Sequence, residues 1–145
     1  MIGFKLKTMQ SRFFDSSKVI SAAGKAKRKV LSRFGAFVRR TAKSSIRKRK
    51  KVSPPGKPPT SRTGLLKKFI FFGYEPTKRS VVIGPARLSH NGRGEAPRLL
   101  EHGGTGTVKR KKKKAIARIR ARPFMGPAMA KEEPKLPQMW RDSVK

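Results

Sequence analysis

The sequence of 145 residues contains no cysteine, so it carries neither a disulfide framework nor a thiolate metal site. That fits a reducing compartment, and equally a protein that needs no cross-link. Acid is almost as scarce: 7 Asp and Glu stand against 39 Lys and Arg, a formal charge of +32 at neutral pH. An isolated molecule so charged repels itself, and the composition calls for a polyanion or an acidic protein surface as companion. Nucleic acid is the commonest such companion. No run approaches the roughly 18 apolar residues of a membrane span, and no membrane partner is expected. The N-terminal segment lacks the apolar core of a secretory signal, although its basic, acid-poor character is also that of an organellar transit segment.

Catalytic chemistry is equally thin. The two histidines, His90 and His102, sit at no metal-ligand spacing from each other. The glycine-rich pieces lack the Gly-Lys-Ser/Thr ending of a phosphate loop. Of the carboxylates only Glu132 and Glu133 are adjacent, and neighbours on a helix diverge. The expectation is a protein that is not an enzyme, with no catalytic residue, no metal site and no cofactor.

What is present is a patterned core beneath the charge. Val19, Ala23, Ala26, Val30, Phe34, Val38, Ala42 and Ile46 recur at spacings of three and four, which predicts one long helix from Ser16 to about Arg49. Asp15, Ser16 or Ser17 can cap its start. Between Ser16 and Lys51 the chain carries 14 Lys and Arg and no acid, so i,i+4 ion pairs cannot support that surface and a counter-charge must come from outside. Four prolines between Pro54 and Pro59 stop the helix and predict an extended, rigid linker over 52–62. The aromatic run within 63–74 predicts a buried strand, and Arg79–Gly84 a second, close enough to form a hairpin. Residues 86–96 read as a loop. A helical turn from Pro97 ends at the glycines 103 and 104. Alternation of Ala117, Ile119 and Ala121 with Arg118, Arg120 and Arg122 predicts a strand with one buried and one cationic face. A helix follows Pro123, and Trp140 anchors a short helical end. The expected architecture is α+β: a long N-terminal helix on a small, mostly antiparallel sheet, with a C-terminal helix and an extended basic loop. The domain plan is an N-terminal arm over 1–15 and a single domain over 16–145.

The basic loop is the candidate functional element. Lys109, Arg110, Lys111, Lys112, Lys113 and Lys114 put six cations on six residues, flanked by Gly103, Gly104 and Gly106. Such density opposes packing in isolation and predicts a flexible loop over 103–116 that is ordered by phosphate or acid. With Arg118 and Arg120 these residues form the expected contact surface for nucleic acid or an acidic partner. Lysine outnumbers arginine and no aromatic is interleaved, so contact with double-stranded DNA is expected to be sequence-independent.

One ordered set of motifs resembles a known family. Ser53-Pro-Pro-Gly-Lys-Pro-Pro, Ser61-Arg-Thr-Gly-Leu-Leu, Val81-Val-Ile-Gly-Pro, Leu99-Leu-Glu-His-Gly-Gly and Ala121-Arg-Pro-Phe-Met-Gly-Pro-Ala follow one another over about residues 16 to 140. They are similar to the tail-completion (neck) proteins of tailed double-stranded DNA phages and prophages. Those carry a Thr-Gly-x-Leu, a Leu-Glu-x-Gly and a closing Arg-Pro-Phe-x-x-Pro-Ala element. The resemblance implies a structural virion protein made in the bacterial cytoplasm, with a tail-completion, terminator or connector role. It implies a homo-oligomeric ring of about six or twelve copies at the head–tail junction, with head-closure and tail-tube proteins and packaged DNA as neighbours. On that pattern Thr63, Gly64 and Leu65 enter the first strand, and Gly103 caps the short helix. Arg122, Pro123 and Phe124 pin a strand-to-helix corner that Pro127 completes, and Glu101 pairs with Arg122 or with a neighbour's arginine. The run at 109–114 departs from the pattern, and in a ring it would face the lumen or an acidic adjoining ring. A ribosomal or organellar ribosome-associated RNA-binding protein is the alternative that the charge allows. A protein coating DNA directly would instead show repeats or a low-complexity body.

Overall fold

The computed structural model describes residues 16–86, 96–110 and 113–143. The arm over 1–15, the Asp15 cap and most of the loop over 86–96 lie outside the described residues. Within them the fold is α+β, a long helix packed on small antiparallel sheets with helices at the C-terminal end.

Helix α1 (Ser16–Ser45) follows its apolar period. Val30, Phe34, Val38 and Ala42 repeat every fourth residue, and all are buried together with Ile46 just beyond the helix. The helix ends at Ser45 rather than Arg49, because two hydroxyls compete with its last turn. Ser44 Oγ donates to the Thr41 carbonyl and Ser45 Oγ to the Ala42 carbonyl, both at 2.8 Å. The stripe is buried only along its second half. Val19 is half-exposed, Ile20 and Ala23 are exposed and Ala26 is partly covered. Length explains this: α1 has 30 residues and spans about 45 Å, whereas the six-residue strands beneath it span about 20 Å.

The chain leaves α1 through β1 (Arg47–Lys48), which bridges β2 (Thr60–Ser61) in parallel. The Pro-rich segment between them folds back on the body. Gly56, at φ 77°, donates its N–H to the Ala121 carbonyl at 2.9 Å, and Pro59 is fully buried.

The first half of the run over 63–74 is not a strand. Gly64 sits in the left-handed region at φ 77° and opens a single helical turn, α2 (Leu65–Lys68). The Gly64 N–H donates to Ser61 Oγ at 2.9 Å, and Leu-Leu-Lys-Lys are strong helix formers. Strand β3 (Ile70–Glu75) then pairs with β4 (Ser80–Pro85) as the expected hairpin. Gly35 lets α1 lie directly on this hairpin: a Cβ there would come within 2.8 Å of Val81 Cγ2 and 3.0 Å of Phe72 Cδ2. Arg39 Nε donates to the Ile70 carbonyl at 2.8 Å across the same interface.

Helix α3 (Ala96–His102) ends at Gly103, φ 74°. The expected flexible loop over 103–116 is instead most of a second hairpin, in which β5 (Gly104–Arg110) pairs with β6 (Lys113–Ile119). A Thr-rich strand and an Ala-Ile-Ala strand meet there, Thr107 opposite Ile116 and Gly106 opposite Ala117. Their ladder offsets the repulsion that favoured a loop. Lys111 and Lys112 lie outside the described residues. After the Pro123 corner come α4 (Met125–Glu132), a 3-10 turn (Glu133–Lys135) and α5 (Leu136–Arg141). One core joins α1, Ile70 of β3, Phe124 and Ala128, skirted by Leu66, Val81, Ile83, Leu100, Met125, Leu136 and Met139.

Candidate polyanion-binding surface

The cationic hairpin stands on a rigid base, and that base is built from the motif residues. Helix α4 begins at Phe124 without a side-chain cap of its own and without an acid in its first turn. Glu101, from the end of α3, supplies both. Its Oε2 accepts the N–H groups of Phe124 at 2.9 Å and Met125 at 3.0 Å, and its Oε1 accepts that of Gly126 at 2.7 Å. The carboxylate therefore satisfies three amides that a helix start leaves orphaned, and its charge opposes the positive end of the helix dipole.

The expected Glu101–Arg122 pair is not formed. Arg122 instead donates from Nε to the Ser53 carbonyl at 2.8 Å and from Nη1 to the Arg120 carbonyl at 3.3 Å. The competing principle is local: a carboxylate close to a ring of bare amides binds them, and the guanidinium finds carbonyls of the Pro-rich loop. The Arg122 N–H adds a 2.6 Å bond to the Leu100 carbonyl, and the Gly103 N–H one of 2.9 Å to the Leu99 carbonyl. A side chain at Gly103 would meet the Ala121 nitrogen at 3.1 Å and the Ile119 carbonyl at 3.2 Å. Glu101, Gly103, Arg122, Pro123 and Phe124 thus form one junction, with the Phe124 ring fully buried beneath it. Pro127, on the first turn of α4, lies at the surface near Thr41 and Pro58. Thr63, Gly64 and Leu65 are not part of the junction. They form the α2 turn, where Thr63 Oγ1 accepts the Leu65 N–H at 3.4 Å and Gly64 precedes a helical turn rather than a strand.

Along the hairpin Arg118 and Arg120 are exposed while Ala117 and Ile119 are half-buried, the alternation expected of them. Towards the tip, Lys109 pairs with Lys114 and Arg110 with Lys113. The side chains of this stretch lie outside the described residues. Leu99 supports the other end: a Cβ at Gly106 would meet its Cδ1 at 2.5 Å, and one at Gly104 its Cδ2 at 3.2 Å.

Several contacts had no signal in the sequence. Part of the basic face of α1 is used internally. Arg39 and Lys43 reach carbonyls of β3 and α2, Arg28 lies 5.9 Å over the Tyr74 ring, and Arg33 and Arg40 flank Phe37. Burial, with Arg39 and Lys67 nearby, pushes the Lys43 ammonium below its ordinary range. Glu132 is buried, accepting from Thr41 Oγ1 at 2.6 Å and Lys135 Nζ at 2.7 Å. Those two bonds hold its carboxyl below the ordinary 4.5, against the opposing effect of burial. Its i,i+3 spacing to Lys135 was the available hint. Among the described residues no three His, Cys, Asp or Glu converge as a metal site, and no helix is long and apolar enough to cross a membrane. His90 lies outside them, and His102 is exposed beside Glu101. Comparison with protein-family models, with curated proteins and with solved structures gives no match.

Proposed function

We propose that this chain is a structural protein of the neck of a tailed double-stranded DNA phage, a non-enzymatic subunit of a homo-oligomeric ring at the head–tail junction. Its cationic hairpin faces packaged DNA or an acidic adjoining ring of head-closure or tail-tube protein. The observation that carries the reading is the Glu101 junction. Two motifs of the resembled family, separated by the whole hairpin, meet there through three hydrogen bonds to one carboxylate. A hairpin on such a base has its foot held in place, which a ring needs if every copy is to present it alike to a common axis. Three of the five described acids are already engaged within the chain. Glu75 pairs with Lys78 at a turn, Glu132 with Lys135, and Glu101 is spent on amides. The partner must therefore bring the negative charge, and sequence-blind contact with a passing duplex satisfies this.

Native mass spectrometry of the purified chain, with and without duplex DNA, tests the ring. A closed oligomer of one fixed copy number is expected. A chain that remains monomeric with DNA and is captured instead by ribosomal RNA would point to the ribosomal alternative and overturn the proposal.

A further inference from the structure

We infer that the Pro-rich loop forms a second anion site, a pocket that takes phosphate groups of a nucleic-acid backbone. The inference rests on the polyanion part of the reading above and does not need the ring. The pocket has a volume of about 600 Å³ and lies between the end of α1, the segment after β1 and the Pro-rich loop. Arg47, Arg49 and Lys51 line it from one side. Lys57 closes it from the other side, and no acid lines it.

The hydroxyls narrow the choice of ligand. Ser44, Ser45 and Thr60 also line the pocket, and each has committed its proton to a backbone carbonyl, at 2.8 Å in all three cases. Their oxygens can then only accept, so the donors left for a ligand are the four cationic side chains. The Ser53 hydroxyl is buried without a hydrogen-bond partner among the described residues. That hydroxyl is sealed from solvent, so an oxyanion in the pocket is held by the four cations, with no acid to oppose it.

The wall is preorganised. Prolines stiffen the loop, the Gly56 N–H holds it to Ala121, and Arg122 Nε holds the Ser53 carbonyl. Those two bonds also hold the loop against the segment that follows β6, next to the exposed Arg120, with Arg118 exposed on the strand itself. Two cationic features on neighbouring segments fit a polymer of phosphates better than an isolated ion.

The test compares two double variants of equal charge. Arg49→Gln with Lys51→Gln removes two pocket cations. Lys48→Gln with Lys50→Gln removes two exposed neighbours that do not line it. All four positions are exposed, and circular dichroism checks that both variants fold. Binding of a short fluorescent DNA duplex is titrated against salt. The pocket pair should weaken binding by about tenfold and lower the salt slope by about 1.8, that is 0.9 for each lost phosphate contact. The control pair should change affinity less than about threefold. Equal losses in both pairs, or none in either, overturn the site and leave the hairpin proposal standing. A parallel arm uses tripolyphosphate as ligand. If only tripolyphosphate distinguishes the two pairs, the backbone assignment falls and the pocket binds free polyphosphate.

Discussion

Replacing Glu101 by alanine removes the acceptor of three amides at once. The Phe124 and Met125 amides are partly buried, and each orphaned donor there costs about 1–1.5 kcal/mol. The Gly126 amide is exposed and can turn to water, so its loss adds only a few tenths of a kcal/mol. The total is about 3 kcal/mol. With a urea m-value of about 2 kcal/mol/M, the unfolding midpoint should fall by about 1.5 M. Glu101→Gln keeps one carbonyl oxygen for Phe124 and Met125 but loses the charge on the helix dipole, and should cost about 1 kcal/mol. Equilibrium urea unfolding followed by circular dichroism ranks the three proteins. An alanine variant within 0.5 kcal/mol of the parent, or a glutamine variant as damaged as the alanine one, would refute the distal-cap reasoning.

Gly35→Ala should destabilise by about 2 kcal/mol in the same assay, because its Cβ would approach Val81 Cγ2 at 2.8 Å and push α1 off the β3–β4 hairpin. Glu132 contributes stability that is fully present above the ordinary carboxylate value of 4.5 and is lost as pH falls through its depressed folded value. The stability gap between the parent and Glu132→Gln should therefore be constant near neutrality and shrink in acid; a gap that widens in acid contradicts the assignment. Replacing Lys109 and Lys114 by glutamine removes two cations of the basic run. The same change should weaken binding to duplex DNA. Unchanged DNA binding would remove the hairpin from the proposed interface.

How far these features could be read ahead depended on how local their causes are. The period of Val30, Phe34, Val38 and Ala42 is a property of one segment, and it located α1 and the face that meets the core. Its outer half looked identical in sequence, but burial of Val19 and Ala23 depends on strands too short to reach them. The alternation of Arg118 and Arg120 with Ala117 and Ile119 was likewise legible, whereas the ordering of 104–110 was not, since its β character comes from a partner strand and not from its own glycines. Leu65 and Leu66 read as strand because apolar content hid the left-handed glycine before them. The identity of Glu101 as a key acid was visible, but its partner was not: choosing amides over Arg122 requires knowing that the start of α4 lies within 3.0 Å. The pocket behind Ser53 had no signal at all, because its walls, the end of α1 and the Pro-rich loop, meet only through the return of the chain from β1 to β2.

Electron cryo-microscopy of tailed particles carrying this chain is the direct test of the central claim. The account predicts a closed ring of identical copies at the head–tail junction, with the β5–β6 hairpins and their cations turned towards DNA in the channel or an acidic ring beside it. Particles whose neck lacks the chain, with the protein recovered as single copies on ribosomes, would contradict it.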